Sequence, residues 1–349
     1  MTRIDRRAFM AVSAASAAVI GAGSRVQAKE AGWTARASLP WMAQEIYAAV
    51  HEGKIVTAGG LVMRRGQPLH VEDRVGAYDP AADAWSELPR LPEARHHPMI
   101  VSAGEAGLYA LGGYARVGGD EWVNTTDCLV LEGDSWRPMT PIPAPLSETV
   151  GACVDGRIHL IGGRTPGGSA NGDWNDQADT PIHRVFIPAE NRWTDARPLP
   201  MARNSAAAAV LDGAIWVAGG RTVGGGGTGR LDRYDPAADR WDTLAPIPRS
   251  YAQNSQVGGG LAMAPIGSGA GGKLVAFGGE WFARGGGGGV FAETWIYDPA
   301  RDAWAAGPDM KTPRHGLAAA AVDGAVYAIA GGAVVSGGQA VGVVERFTL

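Results

Sequence analysis

The sequence has a deficit of positive charge. Its 349 residues include 31 lysines and arginines against 35 aspartates and glutamates, and four of the arginines lie within the first 28 residues. Without that segment, 27 basic and 34 acidic side chains remain, which gives a net charge of −7. Domains that bind nucleic acid present a basic patch to it, so we expect no nucleic-acid partner.

The sequence also lacks a phosphate-binding loop. Its two glycine runs, Gly224–Gly227 and Gly285–Gly289, stand without the lysine and the serine or threonine that such a loop requires, and no helix is expected after them. They are interpreted as flexible loop tips. We expect no cofactor.

The first 28 residues differ from the rest of the chain. Arg6 and Arg7 precede an alanine-rich run, Ala11 to Ala22, and Ala28 follows with small residues suited to a signal peptidase. The run is shorter than the ~20 apolar residues that span a bilayer. Residues 1–28 are therefore predicted to be a twin-arginine export signal, which implies a periplasmic or secreted protein whose mature form is not in the membrane. An ordinary secretory signal is the alternative.

Glycine, in contrast, is abundant. The 52 glycines are roughly twice the usual ~7 % share, which is typical of a chain rich in turns. Six short apolar strands end on a glycine doublet, and successive doublets lie 50 to 59 residues apart. The doublets are Gly59-Gly60, Gly112-Gly113, Gly162-Gly163, Gly219-Gly220, Gly278-Gly279 and Gly331-Gly332. Such a period indicates a repeat protein.

Each repeat carries further shared residues. After a loop, several repeats have a strand ending in Tyr-Asp-Pro, as at Tyr78, Tyr234 and Tyr297, and a tryptophan begins the next strand. These tryptophans are Trp85, Trp136, Trp193, Trp241 and Trp304. The combination resembles the kelch repeat over essentially the whole mature chain, residues 29–349. The resemblance implies an all-β fold, a six-bladed β-propeller whose blades have four antiparallel strands, A to D, from the channel outwards.

The two ends of the chain complete each other. Trp33 and Leu39-Pro40 match the end of a repeat, and Val343 to Leu349 match strand C of a repeat. We therefore predict that the N-terminal strand supplies strand D of the last blade and closes the ring, which leaves no open sheet edge. The long B-to-C loops then share one face, which is the expected binding face.

Aligning the six A strands by the turn that follows them predicts rings of residues around the channel. The first ring predicts three arginines in alternate blades, converging at the channel mouth, where paired donors suit a carboxylate or phosphate. The alternative is that they brace neighbouring blades. The three predicted rings are Ala43, Arg95, Leu146, Arg203, Tyr251, Arg314; then Gln44, His96, Ser147, Asn204, Ala252, His315; then Glu45, His97, Glu148, Ser205, Gln253, Gly316.

Aromatic residues in the B-to-C loops are expected above this mouth. Trp122, Trp174 and the segment Glu280-Trp281 offer apolar faces beside polar groups, an arrangement that suits a sugar ring. Packing of these loops onto the blades is the alternative. No metal is expected, because His96 and His97 are adjacent on a strand and should point to opposite faces.

The resemblance extends to bacterial exported six-bladed kelch proteins of the N-acetylneuraminate epimerase type. It implies an isomerase, an epimerase or mutarotase, that binds an anionic sugar at the channel mouth. Glu148, His97 and His315 are the candidate proton-transfer groups. The expected substrate-binding residues are Arg95, Arg203, Arg314, His96, Ser147, Asn204, Tyr251, Gln253, Trp122, Trp174, Glu280 and Trp281. A non-catalytic scaffold for a glycan or a protein partner, and a lyase or hydrolase of acidic polysaccharide, are the alternatives.

The two cysteines, Cys128 and Cys153, fall in neighbouring blades of this alignment. In an oxidising compartment they are able to form a disulfide. As an alternative, each is a small apolar residue of the core.

Overall fold

The computed structural model describes residues 31–63, 69–117, 119–224, 226–283 and 287–349. The predicted export signal, residues 1–28, lies outside the described residues, as do Gly225 and the first two residues of the run Gly285–Gly289. The described residues form six antiparallel sheets of four or five strands and three smaller ones. Their helical structure is confined to short 3-10 turns at Gly104–Ala106, Trp174–Asp176, Pro188–Glu190 and Gly269–Gly271. The six larger sheets are the blades. The predicted all-β fold is confirmed.

Each of these six sheets is one blade, with strands A to D in spatial order. Blade one has Ala48–His51, Lys54–Ala58, Val75–Asp79 and Ala84–Leu88, and blade two has Met99–Ser102, Leu108–Leu111, Cys128–Glu132 and Ser135–Pro138. Blade three has Val150–Val154, Arg157–Ile161, His183–Ile187 and Arg192–Asp195, and blade four has Ala207–Leu211, Ala214–Ala218, Leu231–Asp235 and Arg240–Leu244. Blade five has Gly259–Ile266, Lys273–Phe282, Thr294–Asp298 and Ala303–Ala306, and blade six has Ala318–Val322, Ala325–Gly332, Ala340–Thr348 and Gly32–Arg36.

The long B-to-C loops contain small strands of their own. One further strand, Gly288–Val290, pairs with strand B of blade five. The others form short ribbons: Leu61–Val62 with His70–Val71, and Arg164–Pro166 with Gln177–Asp179. Tyr114–Val117 pairs with Asp120–Asn124 and also with Arg95–His96, which lies in the connection between blades one and two. These ribbons give the face with the long loops a fixed backbone.

Blade six is composite, as the sequence predicts. Its outer strand, Gly32–Arg36, pairs antiparallel with Ala340–Thr348, from Gly32 opposite Thr348 to Arg36 opposite Val344. Trp33 is buried, and its indole Nε1 donates to Thr294 Oγ1 of blade five at 2.9 Å. The N-terminal strand therefore completes the last sheet and also anchors it to the neighbouring blade.

A belt of backbone hydrogen bonds runs around the channel where strand A begins in each blade. All six belt residues have a positive φ, between 47° and 63°, in the left-handed region. They are Glu45, His97, Glu148, Ser205, Gly260 and Gly316. In five of the six steps the amide of one blade donates to the carbonyl of the preceding one, over 2.7 to 3.2 Å, and the step from blade six to blade one, Glu45 N to Gly316 O, seals the ring.

Blade five differs from the prediction. Its strand A is Gly259–Ile266, followed by a 3-10 turn at Gly269–Gly271, whereas the predicted rings place the start of this strand at Tyr251 to Gln253. The ring residues of this blade are therefore Gly258, Gly259 and Gly260, and the predicted positions of Tyr251, Ala252 and Gln253 are wrong. The blade lacks the Asp-Gly turn that follows strand A in blades three, four and six, and its glycine-rich, proline-containing strand resembled a loop.

Both cysteines are free thiols, so no disulfide links blades two and three. Cys128 is buried in the apolar cluster between these blades, where burial raises the pKa of its thiol to about 12, and Cys153 packs at the edge of the same cluster. In the part of the chain that the structure describes, no helix has the length and apolar character that crossing a bilayer requires.

Two buried histidines of blade three predict an acid-sensitive fold. His183 Nδ1 donates to the carbonyl of Arg197 at 3.1 Å, and its Nε2 lies 2.8 Å from Nδ1 of His159. Burial lowers the pKa of His159 to about 3 and that of His183 to about 4. Since both pKa values are about 6.5 in an unfolded chain, the unfolded state binds protons first and stability is lost as the pH falls from ~6.5 towards 4.

We expect the free energy of unfolding to fall by up to ~1.4 kcal/mol per pH unit for each of these histidines. Denaturant unfolding at pH 7, 6, 5 and 4 measures it. In His159→Asn the amide retains a donor near the position of Nδ1 without a titratable group, so the decline should be shallower. An identical decline in variant and wild type would contradict the assignment.

Candidate functional site

A cavity of about 600 Å³ opens on the long-loop face, above the belt. Its floor contains Glu45, His97, Glu148, Glu280 and His315. Its walls contain Trp122 and Trp174 from B-to-C loops and Trp281 from the end of strand B of blade five. Such a volume lies in the ~300–1,000 Å³ range of small-molecule sites. The cavity joins a polar floor to aromatic walls.

Backbone conformation explains why polar side chains meet at this floor. Non-glycine residues rarely adopt a positive φ, and such strain concentrates at functional sites. The four non-glycine residues of the belt are all polar: Glu45, His97, Glu148 and Ser205. Gly316 has a different role, since a Cβ at this position would lie 2.7 Å from Glu45 Cδ. Its missing side chain leaves the space that the Glu45 carboxylate occupies.

Glu45 is the floor carboxylate most open to the cavity, with 15 % of its side chain exposed against 1 % for Glu148 and 3 % for Glu280. His97 Nε2 lies 2.9 Å from Glu45 Oε2, and His315 Nδ1 lies 3.6 Å from Oε1. Burial alone would raise the pKa of Glu45, but His97, His315 and Arg221 outweigh it and hold the pKa well below its ordinary value. Glu45 is therefore an ionised acceptor at neutral pH.

The adjacent histidines meet, contrary to the prediction from strand alternation. His96 Nδ1 lies 2.8 Å from His97 Nδ1, and their ring centroids are 5.0 Å apart. The positive φ of His97, 56°, breaks the alternation of side chains and turns both rings to one side. His96 is buried and packs edge-on against Trp122 at 4.5 Å, so it supports the floor from behind rather than lining the cavity.

Glu148 is almost fully enclosed. Its carboxylate accepts from Ser205 Oγ at 2.7 Å and from the Tyr114 hydroxyl at 3.1 Å, and Arg164 and Arg221 lie at 3.4 and 3.7 Å. Burial alone would raise the pKa of Glu148. The combined effect of His97, Arg221, Arg164 and the Ser205 hydrogen bond is larger and opposite, so the pKa of Glu148 is below its ordinary value. Glu148 is therefore held as a carboxylate.

Arg221 links the floor across blades four and five. Its guanidinium forms an ion pair with Glu280 and donates from Nε to Asn204 Oδ1 at 3.2 Å. Burial lowers the pKa of Arg221, but Glu148, Glu280 and Glu45 outweigh it and raise the pKa above its ordinary value. Gly259 lies beneath it, with an added Cβ placed 3.4 Å from Arg221 Cδ. All three guanidinium nitrogens thus face acceptors of the protein.

The tryptophans predicted at the mouth do line the cavity, and each has a defined support. Trp174 stands in the 3-10 turn Trp174–Asp176, and the Arg164 guanidinium stacks on its ring at 4.0 Å. Trp122 packs edge-on to Tyr114 at 5.2 Å, and Trp281 follows Glu280 at the end of strand B of blade five. Glu280 also accepts from the amide of Ser336 at 3.0 Å.

The predicted arginine triad is not at the mouth. Arg95, Arg203 and Arg314 are at most 2 % exposed and form ion pairs inside their blades, with Asp127 at 2.7 Å, Asp232 at 3.0 Å and Glu345 at 3.1 Å. They also donate to backbone carbonyls, as Arg203 does to Val217 at 3.2 Å. The prediction of convergence is wrong because a strand acid in the same blade offers each guanidinium a closer partner. Their side chains therefore brace the strands of their own blade and not, as the alternative had it, neighbouring blades.

Other predicted residues separate into two groups. Asn204 lines the cavity, whereas Ser147 is buried and donates to Asn124 Oδ1 at 2.7 Å. Tyr251 is 57 % exposed and bonds to Asp309, away from the cavity, and Gln253 belongs to the same surface loop. Among the described residues, no cluster of three or more His, Cys, Asp or Glu side chains has the arrangement of a metal site.

Glu45 and Arg221 line the cavity but are not among the substrate-binding and proton-transfer residues expected from the sequence. Glu45 stood in the third predicted ring, beside His97 and Glu148. Arg221 directly follows a glycine doublet, as do Arg164 and Glu280. The residue after each doublet was therefore a usable signal, because it starts the long loop at the channel mouth.

The blades agree with comparisons to known proteins. The Kelch motif family model matches residues 202–248, which contain blade four. The chain has the fold of a kelch-type β-propeller. The kelch propeller is similar to the solved structure of YjhT, with a TM-score of 0.72 at 15 % identity, over 89 % of this chain and 96 % of that one.

Two curated relatives are kelch-like proteins. Kelch-like protein terF of Aspergillus terreus is 27 % identical over 312 residues, and human Kelch-like protein 34 is 33 % identical over 179 residues. The matches cover 87 % and 51 % of this chain. The kelch propeller spans 64 % of the fungal protein and 26 % of the human one, so neither whole protein is its counterpart.

Proposed function

We propose that this kelch propeller binds a neutral carbohydrate in the cavity of the long-loop face. The proposal rests on one observation: three tryptophan side chains line the same cavity as the ionised carboxylates of Glu45 and Glu148. Carboxylates accept hydrogen bonds from sugar hydroxyls, and indole rings cover the apolar faces of a sugar ring. A periplasmic or secreted location remains a proposal from the sequence.

The charges of the cavity favour a neutral ligand over the anionic one that the resemblance implies. Glu45, Glu148 and Glu280 surround the floor, and the Arg221 guanidinium already pairs with Glu280, Glu148 and Asn204. At the rim, Arg249 donates from Nε and Nη2 to the carbonyl of Asn254. A carboxylate ligand would meet three negative charges, and removing it from water would cost free energy. Among the described residues that line the cavity, Arg221 and Arg249 already pair with acceptors of the protein.

Anomer exchange is a second candidate activity, favoured by the contact of Glu45 with His97 at 2.9 Å. The Glu45 carboxylate would take the proton of the anomeric hydroxyl and return it to the ring oxygen. General bases work best with a pKa near the working pH, so the lowered pKa of Glu45 makes it a weak base. Binding is therefore the stronger candidate.

Matched sugar pairs test the proposal. Galactose against galacturonate, and glucose against glucuronate, should bind with the neutral member at least about ten-fold tighter by isothermal titration. With ¹³C1-labelled sugars, NMR exchange spectra would reveal accelerated anomer exchange in the same samples. Tighter binding of the acids would overturn the choice of a neutral ligand, and binding of no sugar in a broad panel would overturn carbohydrate recognition.

Glu45→Gln is expected to weaken sugar binding by roughly 10-fold or more, because hydrogen bonds to a charged group contribute ~1.5–3 kcal/mol. Titration of wild type and variant with the best sugar of the panel measures the loss. Glu87→Gln, on the exposed face of an outer strand, is the matched control and should bind as wild type does. Equal affinity of Glu45→Gln and wild type, with both proteins folded by circular dichroism, would contradict the role of the floor.

A further inference from the structure

The cavity has an apolar side that the floor does not explain. Leu61 and Met63 of blade one, and Trp281 and Phe282 of blade five, line it together with Gly337 of blade six. Phe282 is 54 % exposed, although large apolar side chains usually lie in the core. We call these five residues the apolar wall. The opposite side, from blades two to four, combines the rings of Trp122 and Trp174 with four polar side chains: His97, Glu148, Asn204 and Arg221.

The apolar wall is continuous across three blades. A Cβ at Gly337 would lie 3.7 Å from Leu61 Cδ2 and 3.8 Å from Met63 Sδ, so the blade six loop touches blade one. A Cβ at Gly288, which pairs with Phe282, would lie 3.2 Å from Val335 Cγ2 of the blade six loop. The exposed apolar side chains therefore form one surface that leads from the floor to the mouth.

We propose that the ligand is a sugar carrying an alkyl or aryl substituent, with the sugar ring on the carboxylate floor and the substituent on the apolar wall. The inference rests on the proposed function and specifies its substrate class. A cavity of about 600 Å³ has the size of sites for drug-sized ligands, which exceed a single sugar ring. A free sugar would leave the apolar wall exposed to water. An apolar substituent that packs on the wall removes both the wall and the substituent from water.

The test compares sugars that differ only in the length of an apolar chain. Methyl and octyl glycosides of glucose and galactose, in both anomers, and 6-O-octanoyl hexoses are titrated below their micelle concentrations. Burial of each methylene raises the affinity by roughly four-fold. If the wall covers a few methylenes, an octyl compound should bind on the order of 50-fold tighter than its methyl counterpart. Saturation transfer from the protein should also reach the protons of the chain.

Two variants locate the effect. Phe282→Ser and Met63→Ser should lower the ratio of octyl to methyl affinity by about ten-fold each, and Phe282 is exposed enough for its replacement to leave the fold intact. Val117→Ser is the matched control, since Val117 is 44 % exposed in the blade two loop and does not line the cavity. It should leave the ratio unchanged.

The outcomes separate this inference from the proposed function. Equal affinity for methyl and octyl compounds, with measurable methyl binding, overturns the substituent and retains the sugar. The same ratio in Phe282→Ser, Met63→Ser and wild type overturns the location on the apolar wall. Failure of every sugar to bind overturns the proposed function itself.

Discussion

A chain that lacks the N-terminal strand Gly32–Arg36 is expected to unfold without the cooperativity of the closed ring. The deletion exposes Ala340–Thr348 as an unpaired edge and removes Trp33 from a core site where its ring lies 4.9 Å from Phe277 and 5.1 Å from Phe347. Loss of a buried tryptophan alone costs ~3–5 kcal/mol, which corresponds to a fall in Tm of roughly 10 °C. The unpaired edge adds a site for aggregation.

Calorimetry on chains starting at Ala31 and at Ala37 measures the effect of the strand. Trp33→Ala in the full chain separates the tryptophan from the backbone pairing, and Val50→Ala, at an exposed position, is the control with an expected change within ~0.5 kcal/mol. A truncated chain with the Tm and transition width of the longer one would show that ring closure contributes little to stability.

Arg314→Ala is expected to destabilise the propeller by about 3–5 kcal/mol, because it leaves the Glu345 carboxylate buried without its cation. Burial lowers the pKa of Arg314 to about 10 and raises that of Glu345. Removing either charge from water therefore costs free energy, which the attraction between the two side chains offsets. Replacing both partners, as Arg314→Met with Glu345→Gln, should recover much of the loss, since no buried charge then remains. Denaturant unfolding measures all three proteins.

Arg203→Ala provides a graded comparison. Its partner Asp232 also pairs with Arg230 at 2.8 Å, so the carboxylate keeps one cation and the loss should be smaller than for Arg314→Ala. Sugar affinity should not change in either variant, because neither arginine lines the cavity. A ten-fold loss of sugar affinity in a folded Arg203→Ala protein would contradict this and indicate that the arginine contributes to ligand binding.

Part of the site could be predicted from the repeat alone. The alignment of strand starts and long loops brings Glu148, His97, His315 and the three tryptophans to one end of the channel, and the structure places all of them around the cavity. It failed for blade five, where Gly258 to Gly260 replace Tyr251 to Gln253. A repeat alignment requires a recognisable turn, and this blade has none.

The sequence by itself determined the architecture. Glycine doublets and tryptophans at a fixed period mark the strands of each blade, and the split repeat at the two chain ends predicts the closing strand, because these signals are local and recur six times. Only the tertiary structure decided the chemistry of the floor. Three features of the site depend on packing between residues distant in the chain, for which no local pattern exists. They are the positive φ that brings His96 and His97 together, the acid that pairs with each buried arginine, and the ion pair of Arg221 with Glu280.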